Sequence, residues 1–285
     1  MNPTAALPAP LTTADGLKLH REAWPLPVAR GCVLIVHGLG EHIGRYAPLA
    51  ARLNAWGWKA TGFDQRGHGR SSGPRGGLAN DDDLLRDLAL VIDATRADWP
   101  GPLVLLGHSM GGLVAARFVA EGLQPRPAAW HRKIDALVLS SPALDPGMTA
   151  AQKLLLAVLG PLAPRLAVGN GLDPGWISRD PAVVAAYIAD PLVHDRITPR
   201  LARFIQRGGQ LVRQLAPKWV VPTLMLWAGS DRCVAAAGSA ALAAVAPPGV
   251  VQAQVFAPLF HEIFNEAEKD EVYAVLGAWL AGQGQ

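Results

Sequence analysis

The segment Leu103–Gly122 reads LVLLGHSMGGLVAARFVAEG: an apolar run of strand character, then Gly107-His108-Ser109-Met110-Gly111, then an apolar stretch with helical spacing. A chain that passes from strand to helix within one residue leaves no room for side chains two positions before and after the turning residue, and both of those positions are glycine here. Such a turn lifts the Ser109 hydroxyl above the carboxyl end of its strand. The helix that follows aims its first amides at any negative charge that develops there. In a chain with 30 glycines the pattern alone is a modest signal; the strand before it and the helix after it give it weight and mark Ser109 as a nucleophile.

The rest of the chain supplies a sheet around that turn. GCVLIVHG (31–38), WKATGFD (58–64), LVLLG (103–107), IDALVLSSPAL (134–144), TLMLWAG (223–229) and VQAQVF (251–256) read as buried strands. They alternate with helical patterns at 46–57, after the acidic start Asp81–Asp83, after Gly229 and near Asp270–Leu280. This alternation predicts an α/β fold, a mostly parallel central sheet with helices on both faces. From about Asp145 to Pro217 the strand signals stop and proline-broken helical patterns take over, so the expected organisation is core 1–144, helical cap or lid 145–217 and core 218–285. The start, MNPTAALPAPLTTADG, reads as a loose arm without the features of an export signal, and no apolar run reaches the length of a membrane span. A soluble, cytoplasmic protein is expected, with transient contact at a membrane surface through the apolar side chains of the cap.

Composition excludes several classes. Lys plus Arg is 26 and Asp plus Glu is 23, a net charge of +3 without a basic cluster, which argues against nucleic acid as a partner. Cys32 and Cys233 lack ligand spacing, so neither a metal nor a disulfide framework is expected. DQRGHGRSS (64–72) lacks the phosphate-loop pattern, and Arg66 and His68 read as packing and hydrogen-bonding residues. No cofactor is implied.

A serine nucleophile needs a base, and after an elbow of this kind the partners follow in the order acid, then histidine. Three histidines follow Ser109: His131 precedes a strand, His194 falls in the cap segment, and His261 follows the last strand. Asp231 directly follows TLMLWAG, at the end of a strand where active-site loops gather. The expected triad is therefore Ser109, Asp231 and His261. The expected oxyanion donors are the amides of Met110, next to the nucleophile, and Leu39, in the HGLGEH loop after the first buried strand.

HGLGEHIGRY (37–46), FDQRGHGRSSGPRG (63–76), GHSMGG (107–112), SPAL (141–144) and VPTLMLWAGSDRCV (221–234) together resemble the monoacylglycerol lipase and lysophospholipase-like branch of the α/β-hydrolases. The resemblance runs over about residues 15–280 and keeps the order of the signals. It implies a metal-free serine carboxylic-ester hydrolase with a lid, acting on monoacylglycerol or a related single-chain lipid. It also implies that Glu41, Arg45 and His108 line the polar end of the pocket. Two positions depart from the mammalian type: Phe264 stands where a second histidine is found three residues after the base, and Phe260 where a tyrosine precedes it. A less polar pocket end suits simple alkyl or aryl esters, so a general carboxylesterase and a lysophospholipase are the alternatives. Perhydrolysis, carbon–carbon bond hydrolysis and a non-catalytic binding protein rank below them. Sequence leaves the oligomeric state open.

Overall fold

The computed structural model describes residues 8–283, apart from the side chain of Leu159. Its strands are β1 (Leu11–Thr12), β2 (Lys18–Leu19), β3 (Arg21–Trp24), β4 (Gly31–Val36), β5 (Trp58–Phe63), β6 (Leu103–His108), β7 (Ala136–Ser140), β8 (Val168–Gly169), β9 (Arg196–Ile197), β10 (Thr223–Ala228) and β11 (Val251–Phe256). The helices are α1 (Ala47–Ala55), α2 (Asp83–Asp98), α3 (Ser109–Glu121), α4 (Ala150–Leu162), α5 (Pro181–Ala189), α6 (Pro199–Leu215), α7 (Ala236–Val245) and α8 (Lys269–Ala281). Seven strands form one sheet in the order β11-β10-β7-β6-β4-β5-β3, parallel throughout except for β3 at the edge.

Helices cover both faces, which is why the central strands read as unbroken apolar runs. Along β4, Cys32, Leu34 and Val36 join the core beneath α2, α3, α6 and α7, while Val33 and Ile35 join the core beneath α1 and α8. Register brings the carboxyl ends of the strands level: Val36 lies opposite Phe63 and Gly107, His108 opposite Ser140, and Ala228 opposite Phe256. Every loop that leaves this edge of the parallel sheet starts at about the same height.

Three features were not anticipated. The edge strand β3, REAW, carries charge and is only partly buried, so it lacks the apolar run that marks the inner strands. The segment read as a loose arm pairs in part, with Leu11 opposite Leu19 and Thr12 opposite Lys18; its residues 1–7 lie outside the described ones. Between β7 and β10 the chain is mainly helical, and β8 and β9 pair antiparallel there, two residues each and too short to leave a periodic signal. The helices in this stretch start on side-chain caps: Asp180 accepts from the Ala182 amide at α5, and Thr198 accepts from Leu201 at α6. No helix among the described residues is long and apolar enough to cross a membrane.

Candidate active site

Ser109 sits at the first residue of α3 with φ 54°, one of two non-glycine residues with positive φ among those described. For a serine this conformation costs about 1–3 kcal/mol and persists only where the surroundings hold it. They do so on both sides of the turn. A Cβ at Gly107 would overlap the backbone of Gly111, and one at Gly111 would overlap the carbonyl oxygens of Val36 and His37. The carbonyl of Ser109 accepts from the Ala143 amide at 2.9 Å, and Ala143 follows the second positive-φ residue, Ser141.

The loop after β10 carries Asp231. Its Oδ1 accepts the amides of Cys233 (2.8 Å) and Val234 (3.1 Å), which leaves Oδ2 to accept from His261 Nδ1 at 2.7 Å. Burial pushes the Asp231 carboxyl up, but the His261 imidazole and the two amides outweigh it and hold the group below the ordinary aspartate value. Burial also opposes charge on His261, and here the Asp231 carboxylate prevails and raises the imidazole above its usual 6.5. This carboxylate contact fixes the proton on Nδ1 and leaves Nε2 as an acceptor.

Ser109 and His261 line one cavity of about 340 Å³ above the sheet's carboxyl edge, together with Leu39, Glu41, His108 and Tyr187. Among the described residues no hydrogen bond joins the Ser109 hydroxyl to His261, and such contacts commonly tighten only around substrate. The HGLGEH loop runs close by: a Cβ on Gly38 would stand 3.2 Å from that of Ser109. Neither the Leu39 nor the Met110 amide donates to a protein acceptor among the described residues. His108 is pushed down to about 3 by burial and by the neighbouring His261, whose ring centroid is 4.8 Å away, so it stays neutral.

Glu41 is buried and accepts from the Gly38 amide (2.6 Å), the Tyr46 hydroxyl (2.7 Å) and Arg45 (2.5 Å). Burial raises its pKa, but Arg45 and the nearby histidines prevail and hold it at about 2. Of the residues the resemblance places at the polar end, Glu41 and His108 face the cavity. Arg45 does not: it lines a smaller recess behind them, shared with Glu262 and Phe264. The ring of Phe264 stacks on Tyr273, with centroids 5.4 Å apart.

Sequence reasoning did not find Tyr187, Asp190, His194 or Glu262 on the cavity wall. The first three come from the helical stretch between β7 and β10, where no strand end or motif points to them. Glu262 could have been noticed as the neighbour of His261. His194 reaches the cavity but spends its ring nitrogens on the Gly67 carbonyl and the Arg196 amide. His131 stacks on Phe118 away from the site. Arg66 is a buried ion-pair centre for Asp15, Asp83 and Asp87.

Asp231, Cys233 and His261 bring potential metal-binding atoms within 4.8 Å of one another. As a donor set they suit a metal poorly. Burial pushes the Cys233 thiol well up, away from the thiolate a metal binds, and the proton on His261 Nδ1 is engaged by Asp231.

The family model described as Hydrolase_4: Serine aminopeptidase, S33 matches residues 27–268. The chain belongs to this family. Relatives of this Hydrolase_4 chain include a monoacylglycerol lipase of Mycolicibacterium smegmatis, 36% identical over 270 residues that cover 93% of each protein. A human monoglyceride lipase is 30% identical over 277 residues, 95% of this chain and 89% of the relative. The crystal structure of Paleococcus ferrophilus monoacylglycerol lipase superimposes with a TM-score of 0.80 at 35% identity, covering 92% of this chain and 98% of that one. The fold is that of the α/β-hydrolases, and this Hydrolase_4 chain is a carboxylic-ester hydrolase.

Proposed function

We propose that the chain hydrolyses the ester of a monoacylglycerol, or a closely related neutral single-chain lipid, with Ser109 as nucleophile, His261 as base and Asp231 as the acid that orients it. The observation that carries this reading is the 2.7 Å contact of Asp231 with His261 on the cavity that Ser109 enters. His261 Nε2 takes the hydroxyl proton as the Ser109 oxygen attacks the ester carbonyl, and the amides of Leu39 and Met110 receive the oxyanion. Collapse of the tetrahedral intermediate expels the glycerol oxygen, which takes the proton from His261 and leaves an acyl-serine. A water activated by His261 then releases the fatty acid and restores the serine. The family description names an aminopeptidase, but the lipase relatives support an ester in place of an amide.

Labelling of the whole protein by a fluorophosphonate probe, lost in Ser109→Ala, tests the nucleophile, and turnover of monoacylglycerols beside p-nitrophenyl esters of rising chain length tests the substrate. A strong preference for short aryl esters would replace the lipase reading with a general carboxylesterase. The departures at Phe264 and Phe260 favour that second reading.

The neutral imidazole is the active form, and Asp231 raises the pH at which His261 takes a proton. kcat/KM is therefore expected to fall on acidification through a midpoint above 6.5, with one proton taken up. A pH–rate profile with its acid limb near 5 would contradict this.

The segment 145–217 is proposed as the lid. Leu154 and Leu162 of α4 and Ile188 of α5, the last on the cavity wall, are 68%, 77% and 65% exposed, apolar side chains suited to transient contact with a lipid aggregate. The double change Leu154→Glu with Leu162→Glu is expected to lower co-sedimentation with phosphatidylcholine vesicles at least about tenfold, given about 1.5–3 kcal/mol for each buried leucine. Equal sedimentation of both proteins would remove membrane contact from the proposal.

A further inference from the structure

Charge around the Ser109 cavity is one-sided. The carboxylates of Glu41, Asp173, Asp190, Asp195 and Glu262 line it, and no lysine or arginine among the described residues does. Arg45 stands close, but in the recess behind Glu41 and Glu262. Glu262 holds its guanidinium end-on, at 2.7 Å to Nη1 and 2.8 Å to Nη2, and Glu41 takes Nη1 again at 2.5 Å. The guanidinium also lies over the Tyr187 ring, 4.8 Å from its centroid.

Glu262 and Glu41 together take three of the five guanidinium N–H donors, so an incoming phosphate meets an arginine whose single charge is already shared between two carboxylates. The clamp is fixed from outside as well. The Asn265 side chain donates to Glu262 at 2.8 Å, the Glu262 amide donates to the Ile177 carbonyl at 2.8 Å, and Glu41 is tied to Gly38 and Tyr46. Turning Arg45 toward an incoming anion would strand two buried carboxylates without their counter-ion, which is strongly unfavourable.

Resting on the ester-hydrolase reading above, we propose that Glu262 is a specificity-determining residue: as the second carboxylate on Arg45 it leaves the polar end of the cavity with excess negative charge, so that it accepts an uncharged, hydroxyl-bearing headgroup and rejects an anionic phosphate. Hydroxyls donate to carboxylates, whereas a phosphate brought against Glu41 and Glu262 meets like charge with no free cation to offset it. Arg45 then acts as a strap between the loop carrying Gly38 and the loop carrying His261, and not as an anion receptor.

The test compares kcat/KM for 1-lauroylglycerol and 1-lauroylglycerol 3-phosphate, both below their aggregation thresholds. The wild-type enzyme is expected to prefer the uncharged ester by about 100-fold or more. Glu262→Gln keeps the shape and removes the charge, and should shrink that preference by about tenfold or more, whereas Glu262→Asp should keep most of it. A wild type that cleaves both esters at similar rates overturns the assignment without needing any variant. So does an unchanged preference in a folded Glu262→Gln. Failure of ester hydrolysis as such would appear separately, as no turnover of p-nitrophenyl laurate and no fluorophosphonate labelling; the headgroup assignment would then fall with it.

Discussion

Asp231→Asn is expected to lower kcat on ester substrates about 10⁴-fold, or roughly 5 kcal/mol of transition-state stabilisation, while the protein stays folded. The size follows from which atom does what. Asp231 Oδ2 accepts the His261 Nδ1 proton, which leaves Nε2 free to accept the proton of Ser109. An asparagine keeps an oxygen for the Cys233 and Val234 amides and so keeps the turn. Its NH₂ group, however, donates toward Nδ1 and drives the ring proton to Nε2, where it blocks the nucleophile. The same change removes the main influence that raises the His261 pKa. Turnover and the rate of fluorophosphonate labelling should fall together, and thermal unfolding should move by only a few degrees. A loss smaller than tenfold with intact folding would move the acid to another residue.

How much of this was legible in the sequence depends on the range of the interaction that decides it. The inner strands were legible because both faces are buried, so the apolar run is local; β3 was not, because an edge strand such as REAW is half solvated and its pairing with β5 is set by tertiary context. Ser109, Asp231 and His261 could be nominated from order alone, since each follows the end of a parallel strand and register brings those ends level. Arg45 shows the limit of a motif. Its position in HGLGEHIGRY gave the right neighbourhood, yet whether its guanidinium faces the cavity or lies behind it is decided by Glu262, 217 residues away. Tyr187, Asp190 and His194 reach the wall from helices and turns whose spacing carries no sign of the cavity, so only coordinates could place them.

Gly111→Ala is expected to be the most damaging single methyl group that can be added near the site, costing more than about 4 kcal/mol of stability. A Cβ there would overlap the carbonyl oxygens of Val36 and His37. Neither can move aside easily, because β4 is hydrogen-bonded to β5 on one side and β6 on the other, right up to Val36. The strain must instead push α3 away from the end of β4. Ser109 begins α3, and the Gly38–Leu39 amides continue from β4, so the displacement separates the nucleophile from its proposed oxyanion donors. Fluorophosphonate labelling of the surviving folded protein should then fall along with the midpoint of urea or thermal unfolding. Gly208→Ala in α6 is the matched control: its Cβ would meet the Leu113 side chain at 3.4 Å, an ordinary contact, and replacing a glycine in a helix interior gains about 0.5–1 kcal/mol. If Gly111→Ala unfolded at the same midpoint as the control and still labelled at the wild-type rate, the close approach of α3 to β4 would not be what positions Ser109.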